Sequence, residues 1–202
     1  MIRILVIFIS LMIITQPTIA EEVAYRKDLS YKYYNNVWKQ QYDKQIILNV
    51  DPKSKEITMY IQETLGISGI LLTNKTRLSL IKVINKFNKW NAKAIKMKVK
   101  LEKEIATIKP DAYYYKSGDN WTFFKSRPFS IVFFSQSKSK HQMVFKFESV
   151  TDYSSDYNTH KINTMYFTHT QANELNEALQ NWAIKSFLKN RKKKKKIEDQ
   201  FK

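Results

Sequence analysis

The chain is predicted to fold as an α+β domain: an antiparallel sheet of about six to eight strands, packed on one face by a long central helix and a C-terminal helix. Three observations lead there. Between Asn74 and Lys109, apolar residues recur in steps of three and four, at Leu80, Val83, Phe87, Trp90, Ala94, Met97, Leu101, Ile105 and Ile108. At 100° per residue they line one stripe, which Ile81, Ile84, Ile95 and Val99 widen. On either side lie short runs that alternate apolar and polar residues between turn signals, the pattern of half-buried strands. Near the end, Ala172, Leu175, Leu179, Trp182 and Ser186 form a second, shorter helical face.

Residues 1–20 stand outside that fold. Arg3, an apolar run from Ile4 to Thr15 and the small-residue end Pro17-Thr18-Ile19-Ala20 are the marks of an export signal cleaved before Glu21. The run is shorter than the ~20 residues a membrane span needs. The mature chain is therefore expected to be exported, periplasmic or secreted, and soluble. The sequence has no cysteine, so neither disulfides nor a lipid on a cysteine enter the reading.

Residues 21–43 are polar and tyrosine-rich, with Tyr25, Tyr31, Tyr33, Tyr34, Trp38 and Tyr42. Their periodicity is unclear, and the stretch reads as a short helix or as an ordered arm across the sheet. Residues 44–188 form one domain. Strands are expected at Ile46 to Val50, Glu56 to Gln62 and Ile67 to Thr73, with a turn at Asp51-Pro52-Lys53-Ser54. Thr73 or Asn74 caps the long helix, and Pro110 ends it. Further strands are expected at Tyr113 to Lys116, Trp121 to Lys125, Pro128 to Ser135, His141 to Glu148 and Ile162 to Thr168, with a Ser/Asp/Asn/Tyr loop from Thr151 to Thr159. Residues 189–202 are a basic tail.

The two halves echo each other at an offset of 95 residues. Ile67, Ile70, Leu71, Leu72 and Thr73 align with Ile162, Met165, Tyr166, Phe167 and Thr168, and Leu80, Val83, Ile84 and Phe87 with Leu175, Ala178, Leu179 and Trp182. Both halves read strands, threonine, helix, a pseudo-repeat by one account and the shared grammar of any two such units by another. In element order, though in no motif, such a pair resembles the Whirly and PUR folds, whose paired repeats bind single-stranded nucleic acid.

Charge carries the functional signal. The net charge is +17, and the excess sits in two segments, Asn74 to Lys109 and Lys189 to the end, while the rest of the mature chain is almost neutral. On the helix, Lys82, Lys86, Lys89, Lys93, Lys96, Lys100 and Lys103 step by four and three opposite the apolar stripe, forming a ridge about 30 Å long. In the tail, Arg191, Lys192, Lys193, Lys194, Lys195 and Lys196 are consecutive. These thirteen residues are the expected anion-binding set. An AT-rich coding bias is the competing explanation for the lysines, although it would spread them evenly. Because nearly all are lysines, mobile point charges with no fork geometry, the surface should be sequence-blind and salt-sensitive.

Catalytic chemistry has little to work with. No glycine-flanked nucleophile turn or phosphate-cradling loop exists among Gly66, Gly69 and Gly118. Asp152, Asp156 and His160 are spaced for metal ligation only if they lie on a helix, and their neighbours read as a loop. Asp111 and Asp119 read as turn residues, and His169 as a turn or cap residue. No catalytic residue, metal or cofactor is expected. Tyr113, Tyr115, Trp121, Phe123, Phe133, Phe145 and Phe147 could stack bases, but a wide apolar helix needs a sheet face to cover it, so they are expected to be core.

The leading expectation is an exported, non-enzymatic domain that meets an anionic surface, lipid head groups or a cell-envelope polymer, through ridge and tail. The alternatives are a non-specific nucleic-acid-binding protein and a structural protein whose charge is incidental.

Overall fold

In the computed structural model, residues 22–153 and 157–201 are described. The export signal expected over residues 1–20 and Asp156 lie outside them. The strands and helices run in the order β1 Val23–Asn35, β2 Gln40–Val50, β3 Ile57–Gln62, β4 Ile67–Leu72, α1 Asn74–Met97, β5 Glu102–Ile108, β6 Ala112–Ser117, β7 Asn120–Phe124, β8 Phe129–Ser135, β9 His141–Phe147, β10 Val150–Thr151, β11 Thr159–His160, β12 Met165–Phe167, α2 His169–Ala178 and α3 Asn181–Glu198, closed by a 3-10 turn at Asp199–Phe201.

The fold is α+β, with one antiparallel sheet of ten strands among the described residues, larger than the six to eight expected. Its order is β5-β8-β9-β12-β1-β2-β3-β4-β6-β7. Two four-stranded runs are visible in it, β5-β8-β9-β12 and β1-β2-β3-β4, joined where Lys32 faces Tyr166. The β6–β7 hairpin extends the second run. The last strand of each run passes through a threonine into a helix. Thr73 caps α1 by accepting from Thr76 N, and Thr168 caps α2 through a capping box with Gln171.

The echo noted in the sequence thus falls on equivalent elements. Leu80, Val83 and Ile84 are buried in α1, as are Leu175, Ala178 and Leu179 at the end of α2. The last pair departs, because Phe87 is fully buried while Trp182 is 60% exposed. A break at Leu179-Gln180 explains it: α2 ends there, and α3 starts in a new direction with Ile184, Phe187 and Leu188 as its inner face. The single C-terminal helix expected from the sequence is two helices.

α1 and α2 lie antiparallel, with Asn88 donating to Asn173 at 2.7 Å and Asn176 to Asn85 at 3.0 Å. Beneath them, Phe87 packs on Phe133 and Phe145 on Phe167, all four buried in the same core. Arg77 ties the helices together. Only 1% exposed, it donates to the Leu179 carbonyl, to Asn74 Oδ1 at 3.0 Å and to Asn181 Oδ1 at 2.5 Å. Among the described residues no carboxylate pairs with it; the carbonyl end of α2 supplies the compensating partial charge, and burial lowers its pKa.

Two boundaries differ from expectation. α1 ends at Met97, twelve residues before Lys109, because Lys98 adopts the left-handed conformation (φ 52°) and its N–H and that of Val99 close onto Ile95 and Ala94. Ile95 and Met97 are consequently exposed. The apolar steps that follow belong to β5, where a register shift between Glu104 and Ala106 lets Ile105 and Ile108 both face the core. A bulge imitates a helical period. Secondly, residues 23–35 are β1, in the middle of the sheet, with two register irregularities that blur its alternation.

Candidate anion-binding surface

The ridge is built by α1. With Leu80, Val83, Ile84, Phe87 and Ala94 turned to the sheet, Lys82, Lys86, Lys89, Lys93 and Lys96 fall on the outer face and are exposed. The fourteen rises of 1.5 Å from Lys82 to Lys96 make this row about 21 Å long, shorter than the 30 Å expected. Among the described residues, Lys82, Lys89, Lys93 and Lys96 have no carboxylate within ion-pair distance. The segment's acids are occupied elsewhere: Glu102 accepts from Lys146 at 2.7 Å, and Glu104 from Thr107 at 2.8 Å and Ser130 at 3.2 Å. Lys96 also sits in the last helical turn, where a cation is favoured by the helix dipole.

Lys100 and Lys103 leave the helix, Lys100 for the exposed link and Lys103 for β5. The sheet brings Lys103 back. Its amine lies 5.7 Å from the Trp90 ring, and that of Lys86 lies 5.0 Å from the same ring while donating to the Ile105 carbonyl at 3.1 Å. The indole face and a strand carbonyl hold these two cations, so they are less free than their four neighbours on the helix.

The tail bases belong to α3. After Leu188 every described residue is exposed, and the helix continues to Glu198. Arg191, Lys194 and Lys195 share the side that turns toward the start of β1, and with Val23, Ala24 and Phe187 they line a cleft of about 620 Å³. Phe187 is fixed by the Tyr25 ring at 5.0 Å. Lys192, Lys193 and Lys196 do not line the cleft. Lys194 is 3.8 Å from Glu198, one turn on.

A cluster that sequence reasoning missed joins residues far apart in the chain. Ser68 Oγ lies 2.8 Å from Glu63 Oε1 and 2.9 Å from His160 Nε2, which is itself 3.4 Å from Glu63 Oε2. Tyr115 stacks on the imidazole at 4.0 Å. Serine, histidine and carboxylate are the residue types of a nucleophilic triad, but here hydroxyl and carboxylate meet the same ring nitrogen, so no relay through the imidazole exists. Ser68 is also fully buried. The cluster fastens β11 to β3 and β4.

Other sequence candidates resolve simply. Asp152 is bonded by Asn158 at 2.9 Å, and no group of three potential metal ligands occurs among the described residues. Asp111 accepts from Thr76 Oγ1 at 2.9 Å and from Thr73 N at 3.3 Å, anchoring the start of α1. His169 opens α2. Tyr113, Phe133, Phe145 and Phe147 are buried, leaving Tyr115, Trp121 and Phe123 partly accessible. No helix among the described residues is long and apolar enough to cross a membrane.

Comparison with known proteins finds no matching family model, curated protein or solved structure.

Proposed function

We propose that this is an exported, non-enzymatic domain that associates peripherally with an anionic surface, lipid head groups or an envelope polymer, through the outer face of α1 and the bases of α3. The observation that carries the reading is the row Lys82, Lys89, Lys93 and Lys96, exposed and without carboxylate partners among the described residues. Like charges three and four residues apart on a helix repel by a few tenths of a kcal/mol per pair, a cost that an anionic partner removes. Each lysine held near an anionic membrane contributes about 1 kcal/mol. The test is sedimentation with phosphatidylcholine vesicles and with vesicles containing 30% phosphatidylglycerol, at low salt. Recovery with the anionic vesicles alone supports the lipid version, and equal recovery in both supernatants removes it.

A second reading, non-specific nucleic-acid binding, draws on the two four-stranded runs that each pass through a capping threonine into a helix. It expects oligonucleotide affinity to fall steeply with salt, with a shallower slope once Lys192 to Lys196 are neutralised.

A further inference from the structure

The longest hairpin in the sheet ends in an apolar tip that its turn does not need. β1 and β2 pair as far as Asn35 and Gln40, and the connection Asn36-Val37-Trp38-Lys39 leaves Val37 80% and Trp38 68% exposed. Tight turns favour Gly, Asn and Asp, and this one places Lys39 at φ 54°, where glycine is the ordinary choice. Neither folding nor turn geometry accounts for valine and tryptophan side by side in water.

Three further features point to what covers them. Asn35 Oδ1 accepts from Val37 N at 2.8 Å and from Trp38 N at 3.2 Å, so the two backbone donors beside the apolar side chains are already satisfied, which lowers the cost of taking them out of water. Behind the tip comes a tyrosine belt. Tyr33, half-buried against the core, and exposed Tyr42 face each other across the hairpin about 7 Å below the last pair, and Tyr34 stands on the opposite side one residue nearer the tip, at ~3.3 Å per residue. Behind the belt, Lys44 holds its amine 4.6 Å over the Tyr33 ring while donating to Thr64 Oγ1 at 3.3 Å, and Lys39 is exposed within the tip itself.

Apolar tip, aromatic ring, then amine is the order in which a bilayer presents acyl chains, interface and phosphates. We infer that the β1–β2 tip inserts into the interface of an anionic bilayer, with Trp38 and Val37 in the acyl boundary and Lys44, behind the tyrosines, at the phosphates. This rests on the anionic-surface reading and narrows it to lipid; an envelope polymer offers the tip nothing to enter.

The experiment uses the full mature chain carrying Trp182→Phe, which removes the other highly exposed indole, and vesicles of phosphatidylcholine with 30% phosphatidylglycerol, plain or dibrominated in the chains. Insertion predicts that dibrominated lipid quenches the tryptophan emission and that Trp38→Phe abolishes most of that quenching. It also predicts that binding persists at 0.5 M salt, where the screening length is about 4 Å, and that Val37→Asp with Trp38→Asp lowers this salt-resistant binding at least tenfold. The exposed tip makes that pair neutral for folding, which an unchanged thermal midpoint checks. Vesicle binding without quenching, equal in the double variant, overturns tip insertion and leaves the surface reading standing. No binding to these vesicles at any salt overturns insertion and the lipid version together.

Discussion

α1 and α3 are the two basic helices of this molecule, and they carry their charge in opposite ways. α1 has one face in the core, so its lysines can only appear on the other, and spacing by three and four turns them into a row. α3 beyond Leu188 touches nothing in the core, and its six consecutive bases spread around the axis, with Arg191, Lys194 and Lys195 in a cleft and Lys192, Lys193 and Lys196 outside it. A packed helix converts a sequence period into a surface; an unpacked one does not. The ridge should therefore be rigid and always present, whereas the α3 array should order most when something anionic lies against it.

The largest expected effect separates the helices by packing. Phe87→Ala removes a fully buried ring in contact with Phe133 and should cost about 3–5 kcal/mol in urea unfolding; Phe187→Ala, at a half-buried site, should cost a fraction of that. Equal costs would mean that α3 is as much part of the core as α1.

Next comes charge. Neutralising Lys82, Lys89, Lys93 and Lys96 to glutamine should lower partitioning onto anionic vesicles roughly a thousandfold at low salt, at about 1 kcal/mol per lysine, while leaving the thermal midpoint unchanged or raised. If the same number of α3 substitutions has the larger effect, the ridge is not the principal contact.

A smaller difference should appear in hydrogen exchange. Amides of residues 190–198 should exchange orders of magnitude faster than those of residues 80–94, because local opening there exposes no apolar surface. Anionic vesicles should slow the first set and leave the second unchanged.

The smallest effect concerns the support under α1. His141 is buried against Phe133, which packs on Phe87 and Trp90, and its Nδ1 is 2.8 Å from Ser135 Oγ. Burial lowers its pKa below the ordinary 6.5. The unfolded chain therefore takes up a proton near pH 6.5 that the folded chain refuses, and stability should decline as pH falls from above 6.5 toward the lower folded value. Urea midpoints at pH 7.5 and 5.5 measure this, and His141→Gln should flatten that part of the difference. Identical flattening by His169→Gln, at the surface start of α2, would assign the dependence elsewhere.

Much of this fold is readable in the residues. Eight of the sheet's strands coincide wholly or in part with alternating runs, and the start of α1 follows from Thr73 and the apolar stripe behind it. What escaped did so where local pattern and register part company. In β1 the irregularities between Ala24 and Leu29 shift the alternation, so a 13-residue strand at the centre of the sheet looks patternless. In β5 the bulge spaces Ile105 and Ile108 like a helix. The end of α1 turns on a lysine in a conformation usually left to glycine, with no punctuation in the sequence.

The site divides the same way. The row from Lys82 to Lys96 was determined by the sequence alone, since an amphipathic helix with a buried stripe has one place for its lysines. Only the tertiary structure decided that Lys86 and Lys103 would share the face of Trp90, that the tail bases would be split by a cleft against β1, and that Ser68, Glu63 and His160 would meet. Those groupings depend on which strands lie side by side, and strand order is settled by the packing of the whole sheet.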